Sequence, residues 1–322
     1  MKKSHWITLI VVVLLLGVYF IAKNKQPIEK EMRFFMADSV AIAKLVFVTP
    51  EDTVVVEKKG TAWQLTYPVV WDVNETQLNA FFSQVLTIKT SKTPMSEDPN
   101  LQKLYKVNET SAVQVKTYDK TGKLLDHVFI GNGTDTTFDY GRKQGENPIY
   151  QFRNNITGLV APDIKQWRSP NITNLKREQL DRIEVKYIKN AYTLAVVGDS
   201  VRYSDKTDNF MIPATNRAQN KIVNALENLM TWQFVDKDTE QYAKALQNPD
   251  CKITVFLKNK STKTFSLIRR DMPVTETPPG ETANDVMILM MIDNKITPLY
   301  QMTGDFINRF TRAPMHFKAV YD

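Results

Sequence analysis

The first apolar run of the chain, Trp6 to Ala22, is interrupted only by Thr8 and Gly17. As a helix it reaches roughly 25 Å, the short end of what crosses a ~30 Å hydrocarbon core. Trp6, Leu9, Val12, Leu15, Tyr19 and Phe20 make the expected anchor, its aromatic rings at the interfaces and Lys2, Lys3, Lys23 and Lys25 beside the headgroups. A cleaved signal peptide shares the basic start and apolar centre. Against cleavage, Ile21-Ala22-Lys23-Asn24 offers no small-x-small site. Basic residues flank both ends, yet long downstream domains translocate largely regardless of charge. The expectation is one transmembrane helix (1–22), a charged tether (23–37) and a body facing the periplasm from the inner membrane.

After the tether the pattern alternates with period two. Ala41 to Val48, Thr53 to Lys58 and Ala62 to Trp71 carry β-branched and aromatic residues on alternate positions, with Lys59-Gly60 as a turn. The period then lengthens. Leu78, Phe81, Phe82, Val85 and Leu86 fall on one face of a helix, and Asn74 with Gln77 suggests a capping box at its start. A short helical piece near Leu101 to Tyr105 precedes strands at Ala112 to Tyr118, Leu124 to Ile130, Phe138 to Arg142 and Ile149 to Phe152. A closing helix is expected over Ile156 to Arg168, Pro162 being tolerable only near its start.

The second half repeats that order. Strands over Arg182 to Ile188, Tyr192 to Val197 and Phe210 to Ile212 lead to a helix presenting Ile222, Ala225, Leu226, Leu229 and Met230. A short helix near Gln241 to Leu246 and strands at Lys252 to Leu257, Thr264 to Ile268, Val286 to Ile292 and Pro298 to Met302 follow. Residues recur too, about 145 positions apart. Asn79-Ala80 returns as Asn224-Ala225, Tyr150-Gln151 as Tyr300-Gln301, Thr157-Gly158 as Thr303-Gly304, and Arg168-Ser-Pro170 as Arg312-Ala-Pro314. The predicted class is α+β: two tandem similar domains of mostly antiparallel sheet with packed helices, 38–170 and 171–322, preceded by the transmembrane helix. Pro273 to Asn284, with Pro278-Pro279-Gly280, is a long loop absent from the first half.

Composition adds little chemistry. The formal charge of +7 is partly local to the first ~35 residues, and the body mixes both signs, which argues for anionic lipid near Lys23, Lys25 and Lys30 and against nucleic acid. The single cysteine, Cys251, opens an apolar alternating run and is expected in the core. The three histidines, His5, His127 and His316, stand at no metal-ligand spacing, and no serine sits in a nucleophile elbow. Asp119-Lys-Thr-Gly-Lys is similar to a phosphoacceptor loop but lies between two alternating strands, where a hairpin is expected. Asp205-Lys-Thr-Asp208 and Asp236-Lys-Asp238 lack the calcium-loop pattern. No catalytic, cofactor or metal residue is therefore expected. Trp63, Tyr150, Trp167, Arg168, Tyr300 and Arg312 are the candidates for contact with a partner, with sheet packing as the alternative for the tryptophans.

Trp63-Gln-Leu-Thr-Tyr-Pro68, the amphipathic helix, the short helix at Tyr105, the hairpin and the aromatic strand leading to Trp167-Arg168 together resemble an uncharacterised bacterial domain family of envelope proteins. They also resemble the extracytoplasmic region of auxiliary proteins of gliding-motility-type ABC transporters. The resemblance covers Asp38 to Pro170 and, more faintly, the second half. It departs at Tyr105, where members often carry Tyr-Gly-Leu and this chain has Tyr105-Lys106-Val107. It implies a membrane-tethered, non-enzymatic accessory or scaffold protein of an envelope complex, with transporter subunits as partners. The alternative is a periplasmic module binding a glycan, peptide or lipid between the two domains.

Overall fold

The protein is described by a computed structural model over residues 12, 15, 16, 19, 30–133, 137–188, 190–212, 215–271 and 286–318. Trp6, Leu9 and Phe20 of the expected anchor, and the Pro273 to Asn284 loop, lie outside the described residues. Val12, Leu15, Leu16 and Tyr19 are helical with their side chains exposed. Among the described residues no helix is long and apolar enough to cross a membrane.

The chain divides into two compact units, Met1–Ser169 and Pro170–Asp322. In the first, β1 (Glu31–Arg33) precedes a meander of β2 (Lys44–Val48), β3 (Thr53–Lys59), β4 (Ala62–Tyr67) and β5 (Trp71–Asp72). The helix Glu75–Ala80 and the short β6 (Lys89–Ser91) lead into a second meander. It comprises β7 (Val113–Tyr118), β8 (Leu124–Gly131), β9 (Asp139–Lys143) and β10 (Ile149–Phe152). The first strands of the two meanders pair, giving one eight-stranded sheet in the order β10-β9-β8-β7-β2-β3-β4-β5, antiparallel throughout.

The second unit uses the same plan. After β11 (Asn171–Thr173), the meander β12 (Leu180–Tyr187), β13 (Asn190–Val197), β14 (Ser200–Ser204) and β15 (Asn209–Ile212) leads to the helix Arg217–Glu227. The short strands β16 (Leu229–Met230) and β17 (Gln233–Val235) precede the meander β18 (Cys251–Leu257), β19 (Thr262–Asp271), β20 (Val286–Ile292) and β21 (Lys295–Met302). Again the first strands pair, β12 with β18, and β17 adds a ninth strand beside β21. In the first unit that ninth strand shrinks to a single bridge between Ser96 and Ile149. Both units also carry a separate two-stranded ribbon, β1 with β6 and β11 with β16.

Strand alternation explains the cores. Leu45, Phe47, Val54, Val56, Val115 and Val128 point to one face of the first sheet, under the helices, and join Phe81, Val85 and Trp167. Trp167 stacks on Phe47 with ring centroids 4.3 Å apart. A smaller cluster on Val107, Phe129, Tyr140 and Ile149 forms beneath the 3₁₀ turn Pro99–Gln102. In the second unit the turn-and-helix Thr239–Gln247 covers a corresponding small cluster of Leu246, Ile268, Leu289, Met291 and Leu299.

The correspondence extends to single hydrogen bonds. Asn74 caps the helix Glu75–Ala80 by accepting from the Thr76 N–H, and its amide donates to the Gln166 carbonyl at 2.9 Å. Asn216 caps the helix Arg217–Glu227 in the same way and donates to the Phe317 carbonyl at 3.2 Å. Each cap thus ties the central helix to the closing helix, Ile164–Trp167 or Met315–Lys318. Downstream, the Thr90 hydroxyl donates to the Gln151 carbonyl at 3.0 Å, and the Thr231 hydroxyl reaches the Gln301 carbonyl at 2.9 Å. Thr90 stands 16 residues after its cap and Thr231 stands 15 after its own. The helix of the first unit takes up the difference, because Phe81–Val85 is a π-helical turn with Leu86 N–H bonded to the Phe81 carbonyl.

Several sequence expectations change in this light. Gln77 closes no capping box; its side-chain amide donates to the Leu159 carbonyl at 2.7 Å. The closing helix breaks at Ala161-Pro162 into Thr157–Val160 and Ile164–Trp167, because proline supplies no N–H to the ladder. Tyr150-Gln151 and Tyr300-Gln301 do correspond. Asn79-Ala80 and Asn224-Ala225 do not, since they lie five and eight residues past their caps. Arg168 follows its closing helix whereas Arg312 precedes its own, so that match is also out of register.

Candidate binding grooves

The residues read as weak chemical candidates have structural tasks. The Asp119 carboxylate accepts from the Thr121 and Lys123 N–H groups of its own turn, where Gly122 adopts φ +84. His127 lies 3.2 Å from the Gln114 amide oxygen, and partial burial lowers its pKa. Cys251 is fully buried, and desolvation lifts its thiol to about 12. Asp205 binds the Thr207 and Asp208 N–H groups and the Tyr203 hydroxyl, which hold its pKa down to about 2. Among the described residues no group of three or more His, Cys, Asp or Glu is placed to hold a metal ion.

The six candidates for partner contact divide by burial. Trp167 is a core residue whose indole N–H donates to the Ala161 carbonyl at 2.9 Å. Arg168 is buried with its guanidinium 4.6 Å from the Trp71 ring centre. Tyr300 is buried against Phe234. A buried side chain offers nothing to a partner, so these three act within their units. Trp63 packs on Phe82 and Tyr150 on Phe34, each keeping part of its surface exposed, as does Arg312.

The open features are grooves, and two occupy equivalent places, beside the threonine latch at the end of the last sheet strand. In the second unit the groove holds about 400 Å³. The helix Arg217–Glu227 stops at Asn228, the chain turns into β16, and strand alternation sends Leu229 inward and Met230 outward. Trp232 is fixed by its N–H bond to the Gln301 carbonyl at 3.0 Å. Met230 and Trp232, 53% and 39% exposed, form a ledge over a floor that includes Met302 and Phe306. Arg309 lines this groove and pairs with Asp305 at 3.2 Å. Methionine and tryptophan are enriched at partner-binding surfaces relative to the rest of a protein's surface.

In the first unit the equivalent groove holds about 380 Å³ and has different walls. Glu31, Lys89 and Arg153 stand at its edge, Thr90, Ser91 and Gln151 line its side, and Phe138 and Phe152 give it apolar surface. Glu31 lies 3.8 Å from Lys89 and 4.0 Å from Arg153. Sequence reading missed both grooves, because each depends on a two- or three-residue strand too short to show a period. The recurrence of Tyr150-Gln151 as Tyr300-Gln301 was the one available signal, since Gln151 and Gln301 accept the two threonine bonds. A third cavity of about 370 Å³ lies between the helix Ala243–Gln247 and the β19–β21 face, lined by Leu246, Lys252, Ser266 and Met291.

No curated protein and no solved structure matches this chain. A family model does match, from Trp63, where the motif noted in the sequence begins, through the helix and second meander of the first unit and on to Pro249 of the second. With more than half of its length matched across both units, the chain belongs to the family described as Domain of unknown function (DUF4340).

Proposed function

We propose that this protein is a membrane-anchored, extracytoplasmic accessory or scaffold component of an envelope complex, working beside an ABC transporter and holding a protein partner through its second unit. The observation that carries the reading is the Met230–Trp232 ledge over its 400 Å³ groove. Exposed apolar surface of this kind is retained in folded proteins where a partner covers it. The exposed apolar side chains of Val12, Leu15, Leu16 and Tyr19 on a helix support the membrane anchor by the same argument. The resemblance to auxiliary proteins of gliding-motility-type ABC transporters supplies the class of partner. In this reading the duplicated sheets are rigid supports and carry no reaction.

The test is photocrosslinking in native membranes, with the full-length chain carrying a photoreactive residue at position 232 or, as control, at the exposed turn residue Lys120. The expected result is a discrete adduct with a transporter subunit from position 232, absent from position 120 and lost on Met230→Asp. Equal, diffuse labelling from both positions would overturn the reading. A small molecule or glycan co-purifying in place of a protein would replace it with ligand binding.

A further inference from the structure

The ribbon of β1 and β6 brings basic side chains to the edge of the first unit's groove. Its pairing sets Glu31 opposite Ser91, Met32 opposite Thr90 and Arg33 opposite Lys89. The ladder continues one step, with the Lys92 N–H donating to the Lys30 carbonyl at 2.9 Å. Strand alternation puts Arg33 and Lys89 on one face of the strip with Glu31, where Arg153 joins them from the end of β10, and puts Lys30 and Lys92 on the other. Among the described residues Glu31 is the one carboxylate on the first of these faces. Lys89 and Arg153 are 63% and 78% exposed, so their charges face solvent. Beside them lies the 380 Å³ groove, lined by hydroxyl and amide groups and by the half-buried Phe138.

We propose that this strip and groove bind the headgroup of an anionic phospholipid, seating the first unit on the membrane surface. The inference rests on the anchored reading above and adds to it a specific lipid contact. Two observations select the occupant. On the Glu31 face three cations stand against one carboxylate among the described residues, which suits a phosphate diester and repels a cationic partner. The strip is also the first described strand after the apolar run, and the eight steps from Ala22 to Lys30 span at most roughly 28 Å when fully extended. A strip so tethered cannot leave the neighbourhood of the bilayer, where each basic side chain adds to attraction for an anionic leaflet. The groove distinguishes this from diffuse attraction, because its polar side and the open part of Phe138 suit a headgroup with the start of its glycerol backbone.

The experiment uses the full-length chain with vesicles of neutral phosphatidylcholine alone or with phosphatidylglycerol, read by flotation and by amide hydrogen exchange. Exchange over 31–33 and 89–95 is expected to slow at least tenfold with phosphatidylglycerol and not with neutral lipid. Lys89→Glu with Arg153→Glu should abolish that difference, while unchanged exchange in β7 and β8 verifies folding; Lys89→Gln alone provides a second, milder variant. Equal exchange in the two lipids overturns the proposal, as does the same slowing with inorganic phosphate alone, which would mark a free-anion site. Failure to float with neutral vesicles would sink the anchor. Protection of 89–95 by phosphatidylglycerol in that case would still support the headgroup site.

Discussion

Asn216 performs two tasks that substitution can separate. Its amide oxygen accepts from the Ala218 and Gln219 N–H groups at 2.9 and 3.3 Å, and its amide nitrogen donates to the Phe317 carbonyl at 3.2 Å. Losing a helix cap costs about 1 kcal/mol. Leaving a buried carbonyl without its donor adds about 1–3 kcal/mol. Asn216 and Phe317 are both buried, so water is poorly placed to substitute. Asn216→Ala should therefore destabilise the second unit by roughly 2–4 kcal/mol. Asn216→Ser keeps a capping oxygen but cannot reach Phe317, and should recover about 1 kcal/mol of that loss. Asn74→Ala in the first unit should cost less, because Asn74 is only half-buried. Global denaturation of a two-unit chain need not be two-state, so the assay is hydrogen exchange resolved by segment. Faster exchange should appear in the second unit for Asn216 variants and in the first for Asn74→Ala. Equal losses for the alanine and serine variants would refute the two-task reasoning, and so would acceleration confined to the wrong unit.

Other substitutions probe the packing and the charges. Trp167→Ala should cost about 3–5 kcal/mol in the first unit, measured by the same exchange, and leave crosslinking from position 232 intact. A Cβ at Gly131 would overlap the backbone carbonyl oxygens of Tyr105 and Lys106. Gly131→Ala should thus lower stability by about 1–3 kcal/mol and accelerate exchange around 105–107. Cys251, buried with its thiol pushed up to about 12, should resist maleimide in the native protein and react only on unfolding. The folded pKa of Asp205, about 2, lies below its ordinary 3.8, so its contribution to stability is complete above about pH 4 and fades as pH falls towards 2. Asp205→Asn should flatten the acid limb of the second unit's stability profile.

Elements with a long period were legible in the sequence. The switch from period two to a helical face located the two central helices, and the Asp119-to-Gly122 turn located a hairpin, because these signals are local. Contacts between distant residues were not legible. Thr90 and Gln151 are 61 residues apart, and neither has a pattern that names the other. The same holds for Asn216 and Phe317, 101 residues apart. β14 escaped because Ser200-Val-Arg-Tyr-Ser204 carries only two inward apolar residues, Val201 and Tyr203, too few to establish a period. The sequence leaves Trp167 open between packing and contact and offers Tyr300 as a contact residue; only their burial assigns both to packing.

The two latched grooves share one backbone frame and differ in the side chains set on it. The elements that fix the backbone are kept: an asparagine clamp on the closing helix, a threonine latch on the last strand, and a two-stranded ribbon beside it. The side chains facing outward from that frame are different. Positions 89 to 91 present lysine and serine beside Arg153, whereas positions 230 to 232 present methionine and tryptophan above Phe306. One frame therefore offers a charged groove in the unit nearest the apolar run and an apolar groove in the unit farther along the chain. On the proposed reading the first suits a lipid surface and the second a protein. Exchanging Lys89 and Ser91 for the methionine–tryptophan pair should then exchange the binding preferences while leaving both sheets intact, because the latches and clamps do not depend on those side chains.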